Sequence, residues 1–306
     1  MNEKHTKAIA LALTTMVISG IAIFINKFAV SAIKPPLVFT ATKNLGVGLF
    51  IISVLLLTKK WQHIKKLTRS EVKNLVLIGV IGGSLPFYLF FEGLSKASAV
   101  NAALIHKTLV LWVALLALPL LKEKLTKVQI LAVGVLFASN LVIGGFKGFE
   151  FSQGELMVLG ATILWAIENV IAKKTLKTVD PDIVVGARMG FGTVILLAAA
   201  SLVYPASLTQ IGSLTMTQSL WLGASAVTLA GYVMSWYRAL KLASATLVTS
   251  ILVGSTLITN LLSAMFVTHT WTKDMTLQAG LIILGVVLLI SQKVKPEVRE
   301  TSLVEN

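Results

Sequence analysis

The sequence predicts an all-α integral membrane protein with about ten transmembrane helices, arranged as two inverted repeats of five helices. Hydrophobic residues make up 56% of the chain and charged residues only 13%, whereas about a quarter of a soluble domain is charged. The mean hydropathy is +0.85. The apolar residues form ten runs of bilayer length, and the two halves of the chain align without gaps.

The ten apolar runs lie between charged or turn-forming segments. A helix of about 20 residues crosses the hydrocarbon core of a bilayer. The first run follows Lys4 and Lys7 and could be read as a signal peptide, but it is longer than an ordinary signal core and the repeat requires it, so we expect a helix. The runs cover residues 8–28, 37–58, 74–94, 99–121, 127–146, 154–173, 182–204, 217–239, 244–267 and 276–292.

Basic residues predict the orientation in the cell membrane. The gap at residues 59–73 holds six of them, and the segment after 292 holds three more. Cytoplasmic segments carry an excess of Lys and Arg, and with these two gaps inside, about 19 of the 27 cations fall on the cytoplasmic side. We therefore expect both termini in the cytoplasm.

An internal repeat appears when the chain is shifted by 146 residues. Pro35 then falls on Pro181, and Gly134 on Gly280, while the triplet 97–99 falls on the identical triplet 243–245. Five helices per half place the second half upside down, and the basic gap at 59–73 accordingly matches a gap without Lys or Arg. We assign residues 1–148 to the first repeat and 149–306 to the second; inverted repeats are typical of secondary transporters.

Several classes of function fit the sequence poorly. The net charge of +14 is spread over short gaps between apolar runs, which fits membrane topology better than nucleic-acid binding. Catalytic motifs, metal-ligand sets and nucleotide-binding loops are lacking, so we expect no catalytic residues, metal or cofactor. A channel would need a selectivity motif or several subunits, and neither is evident.

The ten-run pattern and the segments GLSKASAVNAALI, LLKEKLTKVQILAVGVLFASNLVIGG and WAIENVIAKK resemble the EamA-type transporters of the drug/metabolite transporter superfamily. The resemblance extends from about Ala8 to Ser291. Glu123 matches the family pattern, whereas the second half has His269 at the equivalent place. The resemblance implies a carrier of small organic solutes with a cavity formed mainly by the first, third, fourth, sixth, eighth and ninth helices.

Lys107 is the leading candidate for substrate binding. It lies about 12 Å along the fourth run, and an intramembrane lysine is costly unless it faces protein or water. It could bind an anionic group or, alternatively, extend its ammonium group outward to the membrane surface. Its neighbour His106 lies about 100° around the helix and could relay protons or form a neutral contact between helices.

Glu168 and Asn169, in the sixth run, are further substrate-binding candidates. An intramembrane carboxylate must be protonated, solvated or paired with a cation. Pairing with Lys107 is attractive, but Glu168 lies about 10 Å nearer the cytoplasm if the helices run straight. Glu92 and Arg238 occupy equivalent places in the repeat, where each could be a gate charge or a solvated end charge. Arg188 and Lys43 lie near boundaries and rank lower.

Aromatic and small residues complete the candidates. Glycines of the third run, together with Gly20, Gly134 and Gly280, predict close helix packing, and Pro86 predicts a kink in the third helix. Aromatic side chains could line the cavity or serve as ordinary packing. The better aromatic candidates for substrate contact are Tyr88, Trp112, Trp165, Tyr232 and Trp236.

Taken together, the sequence favours a secondary transporter that exports amino acids or related metabolites. Drug efflux is the alternative, and a cation at Lys107 should disfavour lipophilic cations. Proton coupling, exchange and facilitated transport are all compatible with the sequence. The expected partners are a small-molecule substrate and the lipid bilayer, with a possible homodimer and no nucleic acid.

Overall fold

The computed structural model describes residues 3–142 and 148–291, and the regular secondary structure of this part of the chain is all helical, without strands. The first half comprises α1 (Glu3–Ala32), α2 (Pro36–Leu57), α3 (Trp61–Ile64), α4 (Arg69–Gly83), α5 (Leu85–Lys96), α6 (Ala99–Lys107), α7 (Leu109–Leu120) and α8 (Lys127–Leu141). The second half comprises α9 (Gln153–Thr175), α10 (Pro181–Val203), α11 (Pro205–Thr209), a 3₁₀ turn (Gln210–Ser213), α12 (Met216–Leu242), α13 (Ala245–Leu252), α14 (Ser255–Ser263), a π turn (Ala264–Thr268) and α15 (Lys273–Ser291).

Eight helical segments of the described chain are long and apolar enough to cross a membrane. They are Glu3–Ala32, Pro36–Leu57, Arg69–Leu94, Asn101–Leu120, Gln153–Thr175, Pro181–Val203, Ala245–Thr268 and Lys273–Ser291. The other two predicted runs coincide with α8, which is shorter, and with the 27-residue α12, which is not among the eight. The chain is thus a multi-pass membrane protein, and the count of ten spans stays a prediction.

The first predicted run is part of a long helix that packs inside the fold. Its helix, α1, packs along α12 and also contacts α13 and α14. Ala8, Ala12 and Gly20 are buried on its inner face. The expected tail after residue 291 lies outside the described residues.

We number the spans after the ten predicted runs, so that Gln153–Thr175 is the sixth and Ala245–Thr268 the ninth. Three spans are interrupted near their middles. The third breaks at Ser84, where φ is −132° and ψ −75°, and Pro86 follows at the start of α5, as the predicted kink requires. The fourth breaks at Thr108, between α6 and α7. The ninth breaks at Val253 and Gly254, between α13 and α14.

Serine caps start the two half-helices that lead to the latter breaks. Ser98 accepts a hydrogen bond from the backbone N–H of Asn101 at 3.1 Å, and Ser244 accepts one from the backbone N–H of Leu247 at 3.3 Å. Such caps satisfy N–H groups that the first turn of a helix leaves free. Ser98 and Ser244 belong to the matching triplets of the repeat, so equivalent sequence begins equivalent half-helices.

The core follows the helix pairs. Closely packed pairs are α1 with α12, α5 with α9, α2 with α10, α4 with α10 and α8 with α15. Close approach depends on glycine where α4 meets α10: a Cβ at Gly83 would meet the backbone of Arg188, and one at Gly192 would meet the backbone of Gly83. By contrast, a Cβ at Gly134 or Gly280 would meet no neighbouring atom within 4 Å, so the packing role expected for these two glycines is wrong within this chain.

Candidate functional site

The breaks in the fourth and ninth spans lie at matching places of the two halves. Thr108 plus the repeat shift of 146 residues is Gly254. At each break the backbone forms i→i+3 hydrogen bonds, from Thr108 N–H to Ile105 and from Gly254 N–H to Ile251, both at 3.0 Å. Interrupted helices expose backbone groups inside a membrane protein, where they line polar sites in transporters.

Lys107 connects these two breaks. Its Nζ donates a hydrogen bond to Ser255 Oγ at 3.2 Å, joining the last residue of α6 to the first residue of α14. Lys107 is half-buried and Ser255 is buried. The lysine therefore faces a partner helix in this structure, which favours the cavity-facing interpretation over outward extension.

His106 points elsewhere. Its ring lies edge-on to Phe90 and Trp165, with centroid distances of 5.1 and 5.2 Å, and its buried Nδ1 lacks a hydrogen-bond partner. His106 and Lys107 thus contact different neighbours, as expected from the 100° step between adjacent helical residues.

Glu168 belongs to a second polar cluster, buried where α4, α9, α10 and α12 meet. The hydroxyl of Tyr237 donates to Glu168 Oε1, and Arg188 interacts electrostatically with both residues. Arg188 Nη2 donates to the carbonyl of Gly82 at 3.1 Å, and Trp165 Nε1 donates to the same carbonyl at 3.1 Å. Glu168, Arg188 and Tyr237 are at most 6% exposed.

Glycine makes this cluster compact. The position that a Cβ would take at Gly82 is 3.0 Å from Glu168 Cδ and 3.4 Å from Arg188 Nε. Arg188 also lies over the rings of Phe87 and Tyr237, at 5.7 and 5.8 Å from their centroids. The carboxylate of Glu168 thus accepts the Tyr237 hydroxyl and interacts electrostatically with Arg188, and among the described residues the pairing of Glu168 with Lys107 that the sequence left open is not formed.

The remaining predicted substrate residues differ in their burial and in their contacts. Asn169 is buried and donates to the carbonyl of Trp165 at 2.8 Å, while its Oδ1 lacks a partner. Trp112 Nε1 donates to Thr108 Oγ1 at 3.1 Å, at the break beside Lys107. Tyr232 and Trp236 stack at 5.9 Å, whereas Tyr88 is 41% exposed.

The two predicted gate charges occupy different environments. Glu92 pairs with Lys96 one turn along α5, at 3.0 Å and partly exposed. Arg238 Nη2 instead binds Asp182 Oδ1 at 2.8 Å, in a cluster where Lys60 Nζ lies 2.6 Å from Asp182 Oδ2 and 3.0 Å from Asp180 Oδ1. These four residues join the ends of α2 and α12 to the start of α10, and we call this side of the bundle the Asp182 end.

The Asp182 end holds Lys60 in its charged form. Partial burial opposes the charge, but hydrogen bonds and the charges of Asp182 and Asp180 raise the pKa of Lys60 above its ordinary value. Lys60 and Arg238 are partly exposed, whereas the side chain of Asp182 is only 5% exposed. The contacts of Lys60 and Arg238 at the Asp182 end therefore depend on the carboxylate of Asp182.

Glu123 adds a further contact at the Asp182 end. Its Oε1 accepts the backbone N–H of Ala245 at 2.6 Å, and its Oε2 accepts the hydroxyl of Thr246 at 2.8 Å. A carboxylate at this position caps the N-terminus of α13. The segment after the fourth span is thus attached to the start of the ninth, and α7 packs against α13.

A separate apolar cavity of about 460 Å³ lies beside the fourth and sixth spans. Leu111 and Leu115 on its wall are 38% and 61% exposed, so it opens toward the outside of the bundle. Its polar residues are Thr108 and Glu155, and the remaining lining residues are Ile105, Leu111, Trp112, Leu115, Phe149, Phe151, Leu156 and Leu159.

Three residues around Lys107 and Glu168 have little or nothing in the sequence that would identify them as site residues. Arg188 follows Pro181 by only seven residues, which suggests a place near a boundary, yet it is 6% exposed inside the bundle. Tyr237 and Ser255 have no feature in the sequence that separates them from the other Tyr and Ser residues of the chain. The internal repeat gives one indication of Ser255, because Ser255 directly follows Gly254, which is the position equivalent to Thr108.

Within residues 3–142 and 148–291, no group of three His, Asp or Glu side chains is placed to hold a metal ion. The polar groups around Lys107 and Glu168 instead combine two cations, hydroxyl groups and one carboxylate. This set of groups can bind an organic solute through charge and hydrogen bonds.

Comparisons with known proteins agree with this architecture. The model of the EamA-like transporter family matches residues 6–145 and 152–291. An uncharacterized transporter of Bacillus subtilis, YyaM, is 27% identical over 217 residues, covering 68% of this chain and 70% of that protein. An uncharacterized transporter of Methanothermobacter thermautotrophicus is 22% identical over 200 residues, covering 60% of this chain and 58% of the relative.

A solved crystal structure shares the fold. It superposes with a TM-score of 0.77 at 17% identity and covers 92% of this chain and 96% of the other.

Proposed function

Because the chain belongs to the EamA-like transporter family, we propose that it is a secondary carrier that moves small organic metabolites across the cell membrane by alternating access. The substrate class that we infer is amino acids or related solutes with a carboxylate group. Export is the direction that we infer for net transport.

The hydrogen bond between Lys107 and Ser255 carries this proposal. It joins the breaks of two half-helix pairs that lie at equivalent places of the repeat. If the carrier rocks between two open states, these breaks sit where the two halves meet and where substrate would bind. A substrate carboxylate would take the place of the Ser255 hydroxyl on Lys107, because a charged acceptor binds an ammonium group more strongly than a neutral one.

The interior charge supports an anionic or zwitterionic substrate. Away from the helix ends, the described spans contain the cations Lys43, Lys107 and Arg188 but only one carboxylate, Glu168. Glu168 already has Arg188 and Tyr237 beside it. A lipophilic cation would meet unfavourable charge at Lys107.

We further propose that the ten helical runs form two inverted five-helix units, with the Asp182 end in the cytoplasm. The matched breaks and the matched serine caps support the repeat, and the six cations at residues 59–73 support the orientation. In this arrangement the contacts of Glu123 and Asp182 close the cytoplasmic mouth.

Multidrug efflux is the second candidate, and one observation favours it. The apolar cavity of about 460 Å³ opens to the outside of the bundle and reaches Thr108, next to Lys107. A lipophilic compound dissolved in the bilayer could enter by this route without crossing a polar mouth.

The test is uptake into proteoliposomes. A pool of labelled amino acids, organic acids and lipophilic cations is offered with and without a pH gradient to wild type, Lys107→Gln and the exposed-lysine control Lys27→Gln. We expect wild type and the control to accumulate carboxylate-bearing solutes and Lys107→Gln to lose about tenfold or more in uptake, because a charge-assisted hydrogen bond is lost. Transport restricted to lipophilic cations would support efflux instead, and equal uptake by Lys107→Gln would contradict the proposed site.

A further inference from the structure

The connection between the second and third spans carries uncompensated positive charge. It covers residues 57–73, which include α3, and we call it the basic segment. One of its cations, Lys60, binds Asp180 and Asp182. Five cations with little opposing charge repel one another, and a bound anion would relieve this repulsion. These five are exposed, and among the described residues none of them forms an ion pair with a carboxylate: Lys59, Lys65, Lys66, Arg69 and Lys73.

The single acid of the basic segment is already engaged. Glu71 Oε2 accepts the backbone N–H of Thr68 at 2.8 Å, and Glu71 Oε1 accepts the hydroxyl of Thr178, which lies between α9 and α10. These hydrogen bonds and the ion pairs of Lys60 hold the basic segment against the start of α10. Because the segment is already fixed, a ligand that binds it loses little affinity to ordering.

Apolar side chains lie beside the cations. Trp61 and Ile64 are 38% and 45% exposed, and they share one side of α3 because they are three residues apart. Lys65 Nζ lies over the ring of Trp61, 5.1 Å from its centroid, and Leu57 at the end of α2 is 84% exposed. A tryptophan with neighbouring lysines is typical of the boundary between lipid headgroups and hydrocarbon. Because it joins two spans, the basic segment stays at the bilayer surface.

The matching connection of the second half shows that the fold does not need these charges. Residues 205–219 fall on residues 59–73 under the repeat shift, and they contain α11 and the 3₁₀ turn without any Lys or Arg. A connection between two neighbouring helices is thus built without cations. The basic segment therefore carries charge that local folding does not require.

We propose that the basic segment is a binding surface for anionic phospholipids. Its exposed cations would bind headgroup phosphates, while the acyl chains would lie beside Trp61 and Ile64. A free phosphate ion would satisfy the cations but would leave both apolar side chains in water, so the observations favour a lipid. The inference depends neither on the transported substrate nor on which side of the membrane the segment faces.

Lipid contact can be measured by fluorescence quenching, because the chain has no cysteine and Gln62→Cys places one dye in the basic segment. The protein is embedded in nanodiscs of phosphatidylcholine with a minor fraction of phosphatidylglycerol. In one sample the phosphatidylglycerol has brominated chains, and in the other an equal amount of phosphatidylcholine has them, so surface charge and bromine content are identical. We expect quenching by phosphatidylglycerol to be about fivefold or more stronger, since each cation near a surface favours anionic lipid by about this factor.

Substitutions at exposed positions test which charges are responsible. The double substitution Lys65→Gln and Lys66→Gln should lower the quenching ratio about fivefold. The matched control is Lys27→Gln with Lys34→Gln, which removes two exposed charges that precede α2 and should leave the ratio unchanged. A dye at Gln210→Cys, in the connection without cations, should be quenched equally by both lipids.

Two results would overturn the proposal. One is equal quenching of the dye at Gln62→Cys by the two lipids, and the other is a ratio that persists after the substitution of Lys65 and Lys66. Loss of the ratio when inorganic phosphate replaces chloride at constant ionic strength would assign the basic segment to free phosphate instead of lipid.

Discussion

Glu123 and Ala245 lie 122 residues apart, and the carboxylate of Glu123 accepts the backbone N–H of Ala245 at 2.6 Å. The contact attaches the end of the fourth span to the start of α13. At the equivalent place of the other half stands His269, an exposed residue with a φ of 50°. The second half therefore carries no carboxylate at the place where Glu123 caps α13.

Glu123→Ala is expected to open the Asp182 end. The substitution removes a cap on α13 that is worth about 1–2 kcal/mol, so it should shift the open–closed equilibrium by about tenfold. The chain has no cysteine, so Ser255→Cys provides a single reporter at the helix break. Labelling of this cysteine from the Asp182 end should quicken in Glu123→Ala and stay slower in Glu123→Gln, which keeps one acceptor. An unchanged labelling rate would show that the Glu123 cap does not control the opening of the Asp182 end.

Asp182→Asn should weaken the same mouth by a different route. The nearly buried carboxylate of Asp182 binds both Lys60 and Arg238, and its neutralisation leaves two cations with Asp180 as the nearest acid.

The contribution of Lys60 to stability should depend on pH. Because the pKa of Lys60 is raised, the stabilisation is complete below the unfolded pKa of Lys60 and is lost as the pH rises through the higher folded value. Melting curves from about pH 6 to about pH 11 should therefore converge for wild type and Lys60→Gln only at the alkaline end.

Gly82→Ala should disrupt the buried cluster. An added Cβ would meet the carboxyl group of Glu168 and the guanidinium of Arg188, and overpacking of a core costs about 1–3 kcal/mol. The matched control is Gly280→Ala, where a Cβ meets no neighbouring atom within 4 Å and where alanine favours the helix. Thermal melts should show a loss for Gly82→Ala and no loss for the control. Equal stability of the two variants would contradict this packing.

Glu168→Gln should reduce transport more than Tyr237→Phe. The glutamine removes the negative charge that acts electrostatically on the buried Arg188, and a buried cation left without compensation costs several kcal/mol. The phenylalanine removes one hydrogen bond, worth about 1 kcal/mol. Proteoliposome uptake and melting of both variants measure the difference, and a larger defect in Tyr237→Phe would assign the main role to the hydroxyl.

Orientation can be measured with two cysteines. Gln62 lies exposed between α2 and α4, and Gln210 lies exposed between α10 and α12. In intact cells an impermeant maleimide should label Gln210→Cys but label Gln62→Cys only after the membrane is opened. The reverse pattern would invert the proposed topology.

Much of the fold was accessible from hydrophobic periodicity and length, because a bilayer constrains every span to about 20 apolar residues. The ten predicted runs coincide with helices or pairs of half-helices. The kink near Pro86 was also predictable, since proline removes a backbone donor. The breaks at Thr108 and Gly254 were not, because neither residue forces a helix to end and the interruption depends on packing between halves.

The site was predictable only in part. Lys107 stood out because an intramembrane lysine is rare, but Arg188 and Lys43 lie close enough to the ends of their runs to reach water on sequence grounds alone. Their burial depends on where neighbouring spans lie, which a single sequence does not specify. Tyr237 carried no signal of its own, since only the fold brings its hydroxyl to Glu168.

The excess of cations in the middle of the spans also has an electrical consequence. Moving one elementary charge through a membrane potential of about 100 mV changes the free energy by about 2.3 kcal/mol. An empty carrier that shifts Lys107 relative to the field would feel the cell's voltage as it reorients, whereas a bound carboxylate would cancel that charge. Voltage would then act mainly on the return of the unloaded protein, and current recordings on oriented membranes would detect it as a substrate-sensitive charge movement.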